Sequence, residues 1–148
     1  MIGLLQRVSS AHVEVAGSEI ARIGAGLLVL VGVERGDAEG QAERLLERLL
    51  SYRVFEDQQG RMNLSLRDTS GGLLLVPQFT LPADTRKGNR PGFSTAAEPQ
   101  LGQRLFEHLL GCAKQGHSDV QAGRFGANMR VGLVNEGPVT LWLQVKPS

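Results

Sequence analysis

Cysteine is almost absent: Cys112 stands alone among 148 residues. A single thiol excludes an internal disulfide and any metal site built on a cysteine cluster. An excess of either charge is absent too. The formal net charge is +1, so bulk electrostatics do not announce a nucleic-acid binder. Nor is there a long hydrophobic run. The most apolar stretch, Leu27 to Val33, is far too short to span a bilayer. The opening MIGLLQRV has apolar residues but no basic segment ahead of them and no cleavage pattern. No signal peptide is expected, and a soluble cytoplasmic protein is the natural reading. Repeats, low-complexity tracts and linkers are missing. The length fits one compact domain, residues 1–148, large enough to bury a core without disulfides.

The common signatures of catalysis are missing as well. Gly24-Ala25-Gly26 lacks the third glycine of a dinucleotide fingerprint and precedes a strand instead of opening a helix. No P-loop and no nucleophile elbow occurs. His12, His108 and His117 have no metal-ligand spacing, so they read as a strand, a helix-surface and a loop histidine. Cys112 falls on the apolar stripe of a helix and reads as a packing residue. No metal site is expected. An enzyme made from this chain must work with backbone amides, a hydroxyl or the substrate's own groups.

What is present is an ordered set of strands and helices, without the strict strand-helix alternation of a doubly wound fold. Ile2 to Val15 is rich in β-branched residues and predicts a strand, Glu19 to Ile23 a second, and Leu27 to Val33 a third buried on both faces. Asp37 is expected to cap the following helix, where Leu45, Leu46, Leu49 and Leu50 recur at helical spacing. Leu73 to Val76 reads as another buried strand. Pro82 to Pro99 is a long polar loop, of a length that usually carries function or motion. Pro99 suits the first turn of a second helix with Leu101, Leu105, Phe106, Leu109 and Cys112 on one stripe, ending near Gly116. Two closing strands are expected, Met129 to Val134 and Val139 to Val145. The order predicts an α/β fold: one domain with a mixed, largely antiparallel sheet and two helices.

Two segments stand out. Pro77-Gln78-Phe79-Thr80-Leu81 follows the strand Leu73 to Val76. A strand end presents free N–H groups that can stabilise an oxyanion, and Thr80 can serve as nucleophile or donor. The plainer reading is a strand that runs into a loop, with Phe79 in the core. Asn135-Glu136-Gly137-Pro138-Val139-Thr140 lies between the two closing strands and suggests a hairpin turn. Its Gly-Pro bond is an imide, for which the cis form is accessible. The plainer reading there is an ordinary turn.

Taken together, the ordered segments resemble the D-aminoacyl-tRNA deacylase (D-tyrosyl-tRNA(Tyr) deacylase) family. They are Ile2 to Val8, Ile23 to Leu30, Gln78-Phe79-Thr80-Leu81, Asp84-Thr85 with Arg90-Pro91, Gly123-Arg124-Phe125-Gly126, and Asn135 to Trp142. The resemblance implies the deacylase fold and a cofactor-free homodimer that acts on the 3′ end of aminoacyl-tRNA, with no membrane and no DNA as partner. It implies that a cis Gly137-Pro138 from one subunit enters the active site of the other, with Arg7 holding that motif. Gln78, Phe79 and Thr80 match the family's catalytic strand, and Phe125 and Met129 match residues near the pocket. A wall of backbone carbonyls would hold the α-ammonium and exclude an L side chain. Glycyl-tRNA should then be accepted too. Attack by water would be aided by the 2′-hydroxyl of the terminal adenosine.

Arg86, Lys87 and Arg90 cluster in the polar loop and are candidate tRNA contacts. Two positions depart from the family: Pro77 replaces its usual serine, and Glu136 its frequent aspartate. Pro77 keeps open a catalytically silent dimer that binds tRNA ends or D-amino acids. A trans Gly-Pro editing relative is the other alternative.

Overall fold

The computed structural model describes residues 1–147. β1 (Ile2–Val15), β2 (Ser18–Ile23) and β3 (Gly26–Gly32) come first, then α1 (Glu39–Ser51). A small hairpin of β4 (Phe55–Glu56) and β5 (Met62–Leu64) and the single turn α2 (Leu66–Thr69) follow. Next are β6 (Gly72–Pro77), α3 (Pro99–Gly116), β7 (Val120–Ala122) and β8 (Met129–Gln144). The main sheet runs β2-β1-β3-β6-β7, with β8 along the other edge of β1. β1 is antiparallel to β2, β3 and β8, while β3/β6 and β6/β7 are parallel. The mixed, largely antiparallel sheet is as expected. The hairpin, α2 and β7 are additions, each too short to show a hydrophobic period of its own.

β3 and β6 are buried along almost their whole lengths. Their alternate residues feed two cores. Leu27, Val29, Leu73 and Leu75 meet Leu45 and Leu49 of α1 and Leu105 and Leu109 of α3. Leu28, Leu74 and Val76 meet Val8, Ala11, Val13 and Ile23 on the opposite face. Truncating any of the helix leucines to alanine would cost about 2–5 kcal/mol in lost transfer energy and cavity formation. The apolar stripes of α1 and α3 are therefore core, as their spacing predicts. Cys112 packs against that core from a partly buried position.

Two expectations need correction. Ala38, not Asp37, is the N-cap of α1, and the Gln41 side chain closes the first turn by accepting from the Ala38 N–H at 2.8 Å. Asp37 is instead committed to the chain's own N-terminus, an acceptor set that local sequence does not reveal. The closing strands do not form a hairpin. Both halves pair with β1 in one continuous antiparallel direction, so β8 is a single long strand. Its register places Gln6 opposite Thr140 and Val8 opposite Asn135. Residues 136–139 bulge out opposite Arg7 alone.

Candidate active site

β6 delivers Pro77 to the end of the parallel ladder, level with Val31 of β3. One more bond, from Gln78 N–H to the Val31 carbonyl at 2.8 Å, carries the ladder past the proline. The chain then breaks into turns, with Leu81 N–H on the Gln78 carbonyl and Ala83 N–H on the Thr80 carbonyl. Among the described residues, the N–H groups of Phe79 and Thr80 find no acceptor. Exposed N–H groups at a strand end can receive a developing negative charge.

A cavity of about 690 Å³ opens beside this strand end. Pro77, Gln78 and Phe79 line it with Phe93, Phe125 and Met129. Two glycines make the closeness possible. A Cβ on Gly102 of α3 would come within 3.3 Å of the Phe125 ring. One on Gly123 would come within 2.8 Å of Met129 Sδ and 3.3 Å of Pro77 Cδ. Phe79 is not in the core: it is 63% exposed and stacks on Phe93 at 5.3 Å between ring centroids. Thr80 is exposed and lies outside the cavity lining. Its Oγ1 accepts from Gln78 Nε2 at 2.5 Å.

Gly137 and Arg7 lie elsewhere in the protomer, on a second depression of about 720 Å³ with Glu136, Phe55 and Glu56. The Gly137-Pro138 bond is cis, as expected from the resemblance. Gly137 has φ +140°, a conformation that favours glycine. Arg7 Nε donates to the Glu136 carbonyl and Arg7 Nη1 to the Val54 carbonyl, both at 2.8 Å. The candidate residues therefore divide into two groups. Gln78, Phe79, Phe125 and Met129 share one cavity, and Arg7 and Gly137 line another.

The polar loop is held at its root. Arg35 N–H donates to the Thr95 carbonyl at 2.9 Å and Ala97 N–H to the Val33 carbonyl at 3.0 Å, and the Thr95 hydroxyl bonds the Pro82 carbonyl. Asp84 and Gly92 exchange two backbone bonds and close its tip. Arg86 is engaged within the tip, through Nε and Nη2 on the two Asp84 oxygens at 2.9 and 2.8 Å. That guanidinium pulls the Asp84 carboxyl down to about 2. Lys87 and Arg90 are exposed, and no carboxylate pairs with them among the described residues. Phe93 and Arg35 line the cavity without having been expected there. Phe93 is the one aromatic residue inside the stretch from Pro82 to Pro99, a signal that was available.

Comparison with known proteins shows the family. A family model for D-Tyr-tRNA(Tyr) deacylase matches residues 4–144. The chain belongs to this family. A D-aminoacyl-tRNA deacylase of Thioalkalivibrio sulfidiphilus is 64% identical over 147 residues, covering 99% of each chain. One of Nitrosococcus oceani is 64% identical, covering all of this chain and 96% of its own. Among solved structures, a c-Myc DNA Unwinding Element Binding Protein has a TM-score of 0.94 at 34% identity, with 99% of both chains covered. A probable eukaryotic D-amino acid tRNA deacylase has a TM-score of 0.85 at 19% identity, a likeness of fold. In this member of the deacylase family the sheet ends in a cavity with free backbone donors. The histidines are spread over β1, α3 and the residue after α3, where His117 bonds the Gly71 carbonyl at 2.6 Å. No helix among the described residues is long and apolar enough to cross a membrane.

Proposed function

We propose that this chain hydrolyses the ester of D-aminoacyl-tRNA, and of mischarged glycyl-tRNA, while sparing L-aminoacyl-tRNA. It would do so as a single domain, residues 1–148, acting in the cytoplasm where tRNA is charged. The observation that carries this reading is the pair of unoccupied N–H groups at Phe79, which lines an aromatic cavity, and at Thr80 next to it in the chain. A water oxygen attacks the ester carbonyl carbon, and these N–H groups receive the negative oxygen of the tetrahedral intermediate. The carbon–O3′ bond then breaks; the 3′-oxygen takes one of the attacking water's protons, and the other leaves with the carboxyl group of the released amino acid. The terminal 2′-hydroxyl aids the attack. Thr80, joined to Gln78, positions this segment.

Chiral rejection falls to Gly137 and Pro138 of a second copy. Their separation from the Phe79 cavity within one protomer supports a site completed across an isologous dimer. β8 supplies the seam, since its outer edge is unpaired among the described residues and it exposes Val134 and Trp142 at 55% and 50%. In that arrangement backbone carbonyls hold the α-ammonium, and an L side chain has no room. Light scattering should give a dimer mass at micromolar concentration, and a monomer would contradict the shared site. Deacylation of D-Tyr-tRNA, L-Tyr-tRNA and Gly-tRNA by the purified protein is the direct test. Release from the first and third only is expected. Release from none, with tRNA-end binding intact, would favour the silent dimer that Pro77 raises. Equal release of D- and L-tyrosine would sink the chiral reading.

A further inference from the structure

We propose that Asn135 is a positioning residue for chiral selection, acting on the Gly137-Pro138 excursion together with Thr140. This rests on the reading of that excursion as the chiral selector. The excursion leaves β8 at Asn135 and rejoins it at Thr140, because Val8 pairs with Asn135 and Gln6 with Thr140. Its four residues have only Arg7 opposite them and so make few ladder bonds of their own. Something must hold them. Arg7 holds the first, through the Glu136 carbonyl at 2.8 Å. Asn135 holds the last.

The Asn135 amide makes three bonds at once. Its Oδ1 accepts from Val139 N–H at 2.8 Å. Its Nδ2 donates to the Val139 carbonyl at 3.2 Å and to Thr140 Oγ1 at 2.9 Å. The amide orientation follows from its partners. Val139 N–H is only a donor and must face the oxygen, which turns the NH₂ group toward the two remaining acceptors. One short side chain thus spans the mouth of the loop and bonds both backbone groups of Val139. Gly137 and Pro138, both exposed, sit between two pinned residues. With either pin removed, their carbonyls lose a fixed direction. A wall that excludes one enantiomer by geometry alone loses selectivity as soon as it can yield.

The test is single-turnover deacylation of D-Tyr-tRNA and L-Tyr-tRNA by wild type, Asn135→Ala, Asn135→Asp, Thr140→Val and Thr140→Ser, with Gly137→Ala alongside. Asn135→Ala should lower the D-to-L ratio of rate constants about ten- to hundredfold, the scale of lost hydrogen bonds. Asn135→Asp keeps the acceptor for Val139 N–H but loses both donors, so its ratio should lie between those two. Thr140→Ser keeps the hydroxyl acceptor and should restore the ratio that Thr140→Val loses. Amide exchange at Val139 should quicken in Asn135→Ala. A merely structural role would lower melting temperature without moving the ratio. If Asn135→Ala does not fold, Asn135→Asp and the Thr140 pair carry the test. A wild-type ratio in all the Asn135 and Thr140 variants overturns the proposal, provided that Gly137→Ala alters it. A wild-type ratio in Gly137→Ala itself overturns the underlying reading of the excursion.

Discussion

The α-ammonium of Met1 lies 2.9 Å from Oδ1 of Asp37, with both side chains closed to solvent. The same ammonium donates to Glu34 Oε1 at 3.1 Å and to the Val145 carbonyl at 2.6 Å. Asp37 Oδ2 accepts from Glu34 N–H at 2.7 Å. The start of β1, the turn between β3 and α1, and the residue after β8 are thereby tied at one point. Burial pushes the Asp37 carboxyl up, and the ammonium and the Glu34 N–H pull against it.

Asp37→Ala should therefore destabilise the fold by about 3–5 kcal/mol, because it leaves a buried cation short of its carboxylate. Urea unfolding should show a lower midpoint at an unchanged m-value. A change under about 0.5 kcal/mol, the size of an ordinary surface substitution, would show that the pair contributes little.

Gly26 and Gly72 face each other where β3 meets β6. A Cβ on Gly26 would come within 2.6 Å of Gly72 N and 2.8 Å of Gly72 C, both backbone atoms that cannot step aside. Gly26→Ala should cost about 1–3 kcal/mol or more by overpacking. It should also slow deacylation, since the far ends of these strands carry Val31 and Pro77. Gly24→Ala meets nothing within 4 Å and serves as the control. Equal melting temperatures for the two variants would refute the argument.

Thr80→Ala removes the hydroxyl that accepts from Gln78 but leaves the backbone donors of Phe79 and Thr80 in place. Loss of one such bond is worth about 1–3 kcal/mol, or some ten- to hundredfold in rate. A nucleophile would cost far more. Single-turnover assays with a 2′-deoxy tRNA terminus separate the two cases. A dead Thr80→Ala beside a fully reactive 2′-deoxy substrate would establish covalent threonine chemistry.

Asp84 and Arg86 make the basic loop unequal in its charges. The Asp84 carboxyl is lowered from its ordinary 3.8 to about 2. Its pairing thus favours the folded loop above the ordinary value and is lost as pH falls toward 2. An NMR titration of Asp84 should show that low midpoint, and Arg86→Ala should return it toward 3.8. Because Arg86 is already paired, Lys87→Ala and Arg90→Ala should raise KM for charged tRNA more than Arg86→Ala does. The triple alanine variant should flatten the salt dependence of KM. Salt profiles identical to wild type would leave the loop a solvated surface.

Much of this was legible in the chain itself. Apolar patterning marks β1 and β2, continuous apolar runs mark β3 and β6, and the leucine spacing marks α1 and α3, because burial on one face imposes a period on the sequence and burial on both faces removes it. The ordered segments that resemble the deacylase family name the candidate site residues as well. Local pattern carries no record of partners far along the chain. So Asp37 reads as a helix cap although it binds an amine 36 residues away. Asn135 to Thr140 reads as a hairpin turn because Asn, Gly and Pro favour turns everywhere. Only the pairing of both flanks with β1 makes it a four-residue excursion from one strand. Phe79 reads as a core residue because apolar side chains usually are buried. Tertiary structure turned it out onto Phe93 at a cavity rim and left two N–H groups beside it without acceptors. Sequence set which residues could form strands and helices. Where the strands end, and which donors remain free there, was decided by long-range register, which no short window contains.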